Sequence, residues 1–599
     1  MSDVNRIPPT ADHHHLQVSD ASGTDAPSAD RTSATRPRGT LRALVAGFIT
    51  AIMLVATLGV AVFAQTGATA PGPTFLPATT LAYAEARLDL PGDQRDQLMA
   101  FLGHLPGFAD PAAFDSKLDE TVDQLLGGAE SPISWSEDIK PWFGGQIMLG
   151  VPELPEMTGL SSGDTSEAIS SAVIALGVTD RAALDAALAK LLGSMDDDIT
   201  TEDYGGTTVW TVGDDDDSDT VLAPTDTLLL LSDDGDLIKN SLDVLGGSVP
   251  SLADDAEFQA SIAALPADRV GAFVLDTAQL KDTLGPLLEE QLAAQPEMAA
   301  TAPQVLAALE MLPPSVTGYI RVDADHLTFR LDALAGESVP AMAVRSTDLA
   351  SKMPADTIVY LESRDLGVAI QTLVEQLKPL LAEQGNDDAL AQIEALLGTG
   401  LESYLDWVED IAIGASISAS GPSVGLVATV TDEAVAQQRI DSLMTLIRLV
   451  SASADPSPVE ISQEDVNGVT VTTITLTDAS GMTQDLPVEG KLSVAVGDGH
   501  FFLGLGDFAT GALSRDPADS LAASPGFTKA LGAVGAENAG ILYADVASAL
   551  SFGTMLMGSD DREMFDAQIK PYAEALDFVV ASLNQDALSS STSLMLFVK

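Results

Sequence analysis

Residues 77–87, PATTLAYAEAR, and residues 354–364, PADTIVYLESR, decide the fold, because six of their eleven positions are identical at an offset of 277. Tyr83, Glu85 and Arg87 alternate with alanines, and Tyr360, Glu362 and Arg364 with Val359, Leu361 and Ser363, which is the period-two pattern of a strand with one polar face. One matching window in a long chain is suggestive; a collinear series is decisive.

That series follows. Trp135-x-Glu137-Asp138-Ile139 is repeated as Trp407-x-Glu409-Asp410-Ile411, and Val178-Thr179-Asp180 as Val430-Thr431-Asp432. Glu202-Asp203-x-x-Gly206-x-Thr208-Val209 returns as Glu464-Asp465-x-x-Gly468-x-Thr470-Val471, and Phe258, Gly271 and Asp276 return as Phe527, Gly540 and Asp545. Matches in one order with drifting offsets mean duplication with loop insertions. The repeats are expected at 77–340 and 350–599, with Pro152 to Thr165 as an exposed insertion in the first.

Within a repeat, strand LAYAEARL (81–88) precedes a helix, and VIALGV (173–178) precedes DRAALDAALAKLLG, whose leucines recur at helical spacing. Paired strands around Gly205-Gly206, strand TLLLLS, two more helices, strand RVGAFVLD and the hairpin of residues 316–334 complete the unit. Hairpins mixed with crossovers predict an α+β fold of two tandem homologous repeats with mainly antiparallel sheets.

Ahead of the repeats, Ala43 to Ala64 carries no charge, and its 22 residues span about 33 Å at ~1.5 Å each, enough to cross a bilayer. Arg31, Arg36, Arg38 and Arg42 precede the span and the first charge after it is Glu85, so the positive-inside rule predicts a single-pass protein with a cytoplasmic N-terminus. Cleavage after Ala64 is the competing reading; the long apolar run favours a retained anchor. Residues 1–42 are polar and expected to be disordered, and 65–76 form a spacer off the membrane. His13, His14 and His15 in that tail could grip a metal, but an incidental run is the simpler expectation.

The 599-residue chain has 46% hydrophobic residues, enough for several cores, and a net charge of −60 from 88 Asp+Glu against 28 Lys+Arg. The five Asp and five Arg of residues 1–42 cancel, so all the excess lies beyond the tail. Such charge repels nucleic acid and favours cations or basic partners. The acidity fits either a saline habitat or a GC-rich genome. Cysteine is absent, which removes disulfides, thiolate chemistry and Cys-ligated zinc, and suits a bacterial envelope.

The opening PAxTxxYxExR segment, followed by Trp135-Ser136-Glu137-Asp138-Ile139-Lys140-Pro141-Trp142-Phe143-Gly144-Gly145, resembles a bacterial family known as domain of unknown function three-three-five-two. The resemblance covers most of the ectodomain and is most specific at Pro141 to Gly144. It implies a single-span envelope protein and supplies no activity or catalytic residue. The second repeat lacks the Pro-Trp-x-Gly step, since Ala412-Ile413-Gly414 follows Ile411.

Candidate chemistry is sparse. Gly421-Pro422-Ser423-Val424-Gly425 fits G-x-S-x-G, but the strands expected on both sides make it a hairpin, not a nucleophile elbow. Gly504-x-Gly506 lacks the remaining elements of a phosphate loop, and its counterpart Ser232-Asp233-Asp234-Gly235 predicts ordinary helix capping by aspartate. Asp215, Asp217 and Asp219 have calcium-loop spacing, but Thr220 replaces the loop's Gly and Asp226 its last Glu, so a solvated acidic loop is expected.

Glu85 with Arg87, and Glu362 with Arg364, are expected to form a duplicated ion pair at a sheet edge, while two acids for glycoside hydrolysis would have to converge in a cleft. Trp135 and Trp407 are expected as core anchors. His104, His326 and His500 each lack a counterpart in the other repeat. No catalytic residue and no cofactor is assigned, and metal binding stays open. The expected function is a non-enzymatic envelope protein that binds a protein, wall or lipid partner. The alternatives are an extracytoplasmic hydrolase of unrecognised type, a lipid-binding carrier, and a sensor with a modifiable tail.

Overall fold

The computed structural model describes residues 72–599 except 109, 111–112, 126–132, 155–170, 195–197, 214–218, 295–305, 307–308, 311, 335–342, 366–405, 419–420, 453–456, 478–489, 558–561, 563–564, 567–568 and 586–588. The Ala43–Ala64 span and His13 to His15 lie outside the described residues, as do residues 155–165 of the predicted insertion. Among the described residues no helix is long and apolar enough to cross a membrane.

The fold is a mixture of α and β built on a large antiparallel sheet. Its strands are β1 (Ala82–Arg87), β2 (Phe143–Val151), β3 (Val173–Val178), β4 (Asp198–Tyr204), β5 (Thr207–Gly213), β6 (Thr220–Pro224), β7 (Leu228–Ser232), β8 (Gly271–Asp276), β9 (Ser315–Asp323) and β10 (His326–Leu334). They continue as β11 (Thr357–Ser363), β12 (Val408–Ser418), β13 (Gly421–Val430), β14 (Val459–Val466), β15 (Val469–Leu476), β16 (Lys491–Gly497), β17 (His500–Leu505), β18 (Gly540–Asp545), β19 (Leu576–Gln585) and β20 (Ser589–Val598).

Pairing places the first ten in the order β4-β5-β6-β7-β3-β2-β1-β8-β9-β10. The next ten follow as β20-β19-β18-β11-β12-β13-β17-β16-β15-β14. β10 and β20 join the two sets, with Arg330 opposite Ser593 at the middle of their ladder. Adding ten to each strand of the first set gives the second set read from its far end.

Local chemistry explains the elements. β3, β6 and β7 are buried along their whole length, and their near-continuous apolar runs suit strands covered on both faces. Asp180 accepts from the backbone N–H groups of Ala182 and Ala183 at 3.0 Å, starting helix Arg181–Gly193, which buries Leu184, Leu188 and Leu191 at helical spacing. The β4–β5 turn has Gly205 at φ +62° and Gly206 at φ +88°, the doubly left-handed turn that matches strand twist; Asn467 and Gly468 repeat it between β14 and β15.

Core residues lie on both faces of the first set. Leu98, Phe101, Trp135, Phe143 and Leu184 belong to one cluster, and Phe75, Tyr83, Phe258 and Ile238 to another. In the second set, Tyr360, Phe527, Tyr543 and Phe578 belong to one cluster that reaches Phe597 of β20. Tyr83 meets Phe258 edge-on at 5.3 Å, and Tyr360 meets Phe527 at 5.4 Å in the same manner.

Candidate functional site

The alternating residues of β1 and β11 anchor two buried ionic arrangements among the described residues. These strands lie inside the sheet, β1 between β2 and β8 and β11 between β12 and β18, so the expected sheet-edge position is corrected. A period of two puts Tyr and Glu on one face, and Tyr83 Oη donates to Glu85 Oε2 at 3.0 Å. Tyr360 Oη likewise donates to Glu362 Oε2. Burial pushes both tyrosine hydroxyls well up, and the neighbouring glutamate adds to it, so each remains a proton donor.

The cation differs between the two. Arg87 turns away from Glu85 and binds Asp89 through Nε at 3.0 Å and Nη2 at 2.9 Å, so the expected Glu85–Arg87 pair is corrected. Arg269 takes its place, donating to Glu85 Oε1 through Nε at 3.1 Å and Nη2 at 2.8 Å. In β11 the expected pair does form, Arg364 Nη1 donating to Glu362 Oε1. Thr347 Oγ1 donates to the same oxygen, and Asn538 Oδ1 accepts from Arg364 Nη2 at 3.2 Å. Arg345 adds a surface layer, binding Asp410, Asp365 and Glu409.

Trp135 to Gly145 forms a latch. One π-helical turn, Trp135–Ile139, lets Trp135 Nε1 donate to Asp119 at 3.0 Å while Lys140 Nζ binds the same carboxylate at 2.8 Å. Trp142 Nε1 donates to the Asp138 carbonyl at 2.8 Å, and Lys190 Nζ reaches the Asp138 carboxylate at 2.6 Å. The segment thus ties helices Phe114–Leu125 and Arg181–Gly193 to the start of β2. Trp135 and Trp407 are both buried, packing edge-on against Phe143 and Phe501 respectively.

The remaining sequence candidates are dispersed. Gly421 to Gly425 lies within β13, and Ser423 Oγ donates weakly to the Leu505 carbonyl at 3.5 Å. A Cβ on Gly425 would fall 2.0 Å from the Phe508 ring, so this glycine serves packing. Asp234 caps its helix through the Asp236 N–H, whereas Asp507 makes no capping bond and pairs with Lys491, which corrects the capping expectation there. Asp219 is exposed just before β6, while Asp215 and Asp217 lie outside the described residues. His326 stacks on Phe597 beside Asp325, and His500 Nε2 lies 3.1 Å from Asp348, holding that carboxyl below its ordinary range by a hydrogen bond.

Sequence reading missed a cavity of about 520 Å³ in the second set. It opens where β11, β18 and β19 meet helix Val546–Leu556, and Asp356, Asp545, Asp577, Tyr543, Ile417 and Phe552 are among its walls. Tyr543 is 3% exposed, and its hydroxyl has no hydrogen-bond partner among the described residues. Burial, then Asp545 and Asp577, push that hydroxyl up. No sequence signal marks the cavity, because its walls come from five separate segments.

Among the described residues no group of three His, Asp or Glu side chains could hold a metal ion. Comparison with curated proteins finds no match. Two solved structures, titled crystal forms III and IV of TP0453, are similar to parts of the chain. The first shares 9% identity over 46% of this chain and 83% of that one with a TM-score of 0.23. The second shares 13% over 41% and 76% with a TM-score of 0.20. The family described as Protein of unknown function (DUF3352) matches residues 41–591, and the chain belongs to it.

Proposed function

We propose that this is a single-pass protein of the bacterial cell envelope whose duplicated extracytoplasmic part works by binding a partner. Residues 1–42 lie in the cytoplasm, 43–64 cross the membrane, a spacer from 65 ends ahead of Phe75 and Leu76, which are already buried in the core, and 77–340 and 350–599 are the two repeats. The observation that carries the duplication is the strand order, which reads alike from either end of the sheet about the β10–β20 pair. The collinear sequence matches support the same reading.

Binding is favoured over catalysis because the acids of the strongest repeated motif, Glu85 and Glu362, are each gripped by a guanidinium group and serve the framework. The net charge of −60 directs the choice of partner toward cations and basic surfaces.

The chain has no cysteine, so single introduced cysteines report alone. With Ser19→Cys and Ala518→Cys variants, a membrane-impermeant maleimide on intact cells is expected to label position 518 and spare position 19; the reverse overturns the topology. Crosslinking in native envelopes is expected to join the repeats to a recurring envelope component. Crosslinks confined to the chain itself overturn the binding reading.

A further inference from the structure

The cavity beside Tyr543 is built by differences between equivalent positions. Register aligns Val274 with Tyr543 and Pro314 with Asp577, since Gly271 faces Ile320 as Gly540 faces Leu583. In the first set the following helix is tied down at this place. Gln279 donates to the Thr79 carbonyl, Thr277 to the Pro313 carbonyl, and the Ala278 N–H to the Pro314 carbonyl at 2.9 Å. In the second set Ser548 stands for Gln279, Asp356 for Thr79 and Asp577 for Pro314, and the space remains open.

The opened space has a definite chemistry. Asp545 uses one carboxylate oxygen, Oδ1, to cap its helix at the Ser548 N–H, 2.7 Å away. Asp577 is half-buried on the facing strand. Asp356 is exposed at the rim, where Arg515 feels its charge, so the inner carboxylates Asp545 and Asp577 dominate. Tyr543, 3% exposed as a residue, lines the same space, and its hydroxyl has no hydrogen-bond partner among the described residues. Ile417 and Phe552 supply apolar wall. Carboxylates that do not converge on one point suit a ligand with several N–H donors and a methylene chain better than a bare metal ion.

We propose that this cavity binds an organic ammonium group on a short apolar chain, with Asp545 and Asp577 as counter-ions and the Tyr543 oxygen as a further acceptor. The proposal rests on the ectodomain being a binding module and names what one of its sites takes. The ammonium comes either from a free diamine or from a lysine side chain of a protein partner.

The test is calorimetric titration of the full chain in detergent micelles with 1,5-diaminopentane, with N-acetyl-lysine methylamide, and with 1,5-pentanediol as the uncharged control. Binding of at least one amine and not of the diol is expected. Asp577→Asn and Tyr543→Phe are each expected to weaken it by about tenfold or more, with melting temperatures kept near wild type. Preference for the diamine identifies a free ligand, and preference for the lysine derivative a protein partner.

Absence of amine binding at millimolar concentration in low salt overturns the proposal. So does equal binding of the diol, equal binding by both variants, or a response to calcium chloride alone. If a variant unfolds, Ser548→Gln, which restores the first set's residue, is expected to abolish binding by filling the space; unchanged binding refutes the site. Recurring envelope crosslinks with no amine binding would remove this site and leave the broader binding function standing.

Discussion

Arg269 and Asn538 stand at equivalent places, each two residues before the first glycine of β8 or β18, yet one supplies the charge that neutralises a buried glutamate and the other only positions it. Arg269 binds Glu85 directly, whereas Asn538 accepts from Arg364, which binds Glu362. The electrostatic requirement is the same in both places, because a buried carboxylate needs a cation, but the cation's position in the chain differs.

Replacing Arg269 with Asn should therefore not convert one arrangement into the other, since Arg87 is already committed to Asp89. Glu85 and Arg269 side chains are 11% and 13% exposed, so removing the guanidinium strands a desolvated charge. Arg269→Asn is expected to lower unfolding free energy by about 3 kcal/mol in urea titration. Adding Glu85→Gln should recover most of it. A single-variant loss matching that of the double variant would show that the pair carries no coupling.

Asp138 gives the latch a pH dependence of definite sign. Desolvation would raise its pKa, but the hydrogen bond and charge of Lys190, together with hydrogen bonds from Ser134, outweigh that and hold it below the ordinary range. A depressed folded-state value stabilises the protein fully above the unfolded value of about 3.9, and the contribution is lost as pH falls through the folded value. Melting temperatures between neutral pH and about pH 3 should therefore show wild type above Asp138→Asn at the neutral end. The two curves should converge on acidification. Parallel curves would mean that the contacts of the Asp138 carboxylate with Lys190 and Ser134 contribute nothing.

Much of the fold was legible because its elements announce themselves locally. The leucines of 181–193 recur at helical spacing, β3 is the uninterrupted run predicted at 173–178, and the Gly205-Gly206 turn forms the expected hairpin. The ion pairs were half legible. Spacing put Glu and Arg on one face, but the choice between Arg87 and Arg269 depends on a residue 184 positions away. The join of β10 to β20 and the Tyr543 cavity were illegible for the same reason, since both depend on segments brought together only by the complete sheet.

The G-x-S-x-G stretch separates motif from mechanism. Ser423 sits within β13, so Ser423→Ala should change stability by less than about 0.5 kcal/mol. Gly425→Ala should cost about 1–3 kcal/mol, because the added methyl group meets the buried Phe508 ring. Chemical denaturation of the two variants measures this. The opposite ranking would return Ser423 to consideration as a working residue.

The acidic surface sets the last expectation. With a net charge of −60, any salt should stabilise the protein by screening self-repulsion, so a calcium effect has meaning only beside a control. Asp219 is exposed before β6, and a solvated loop predicts equal rises in melting temperature for calcium and magnesium at matched ionic strength. A specific site over Asp215, Asp217 and Asp219 would instead add about 2.7 kcal/mol at a calcium concentration one hundred times its dissociation constant. An excess calcium shift that disappears in Asp219→Asn would establish such a site; an equal shift for both ions leaves the loop as solvated charge.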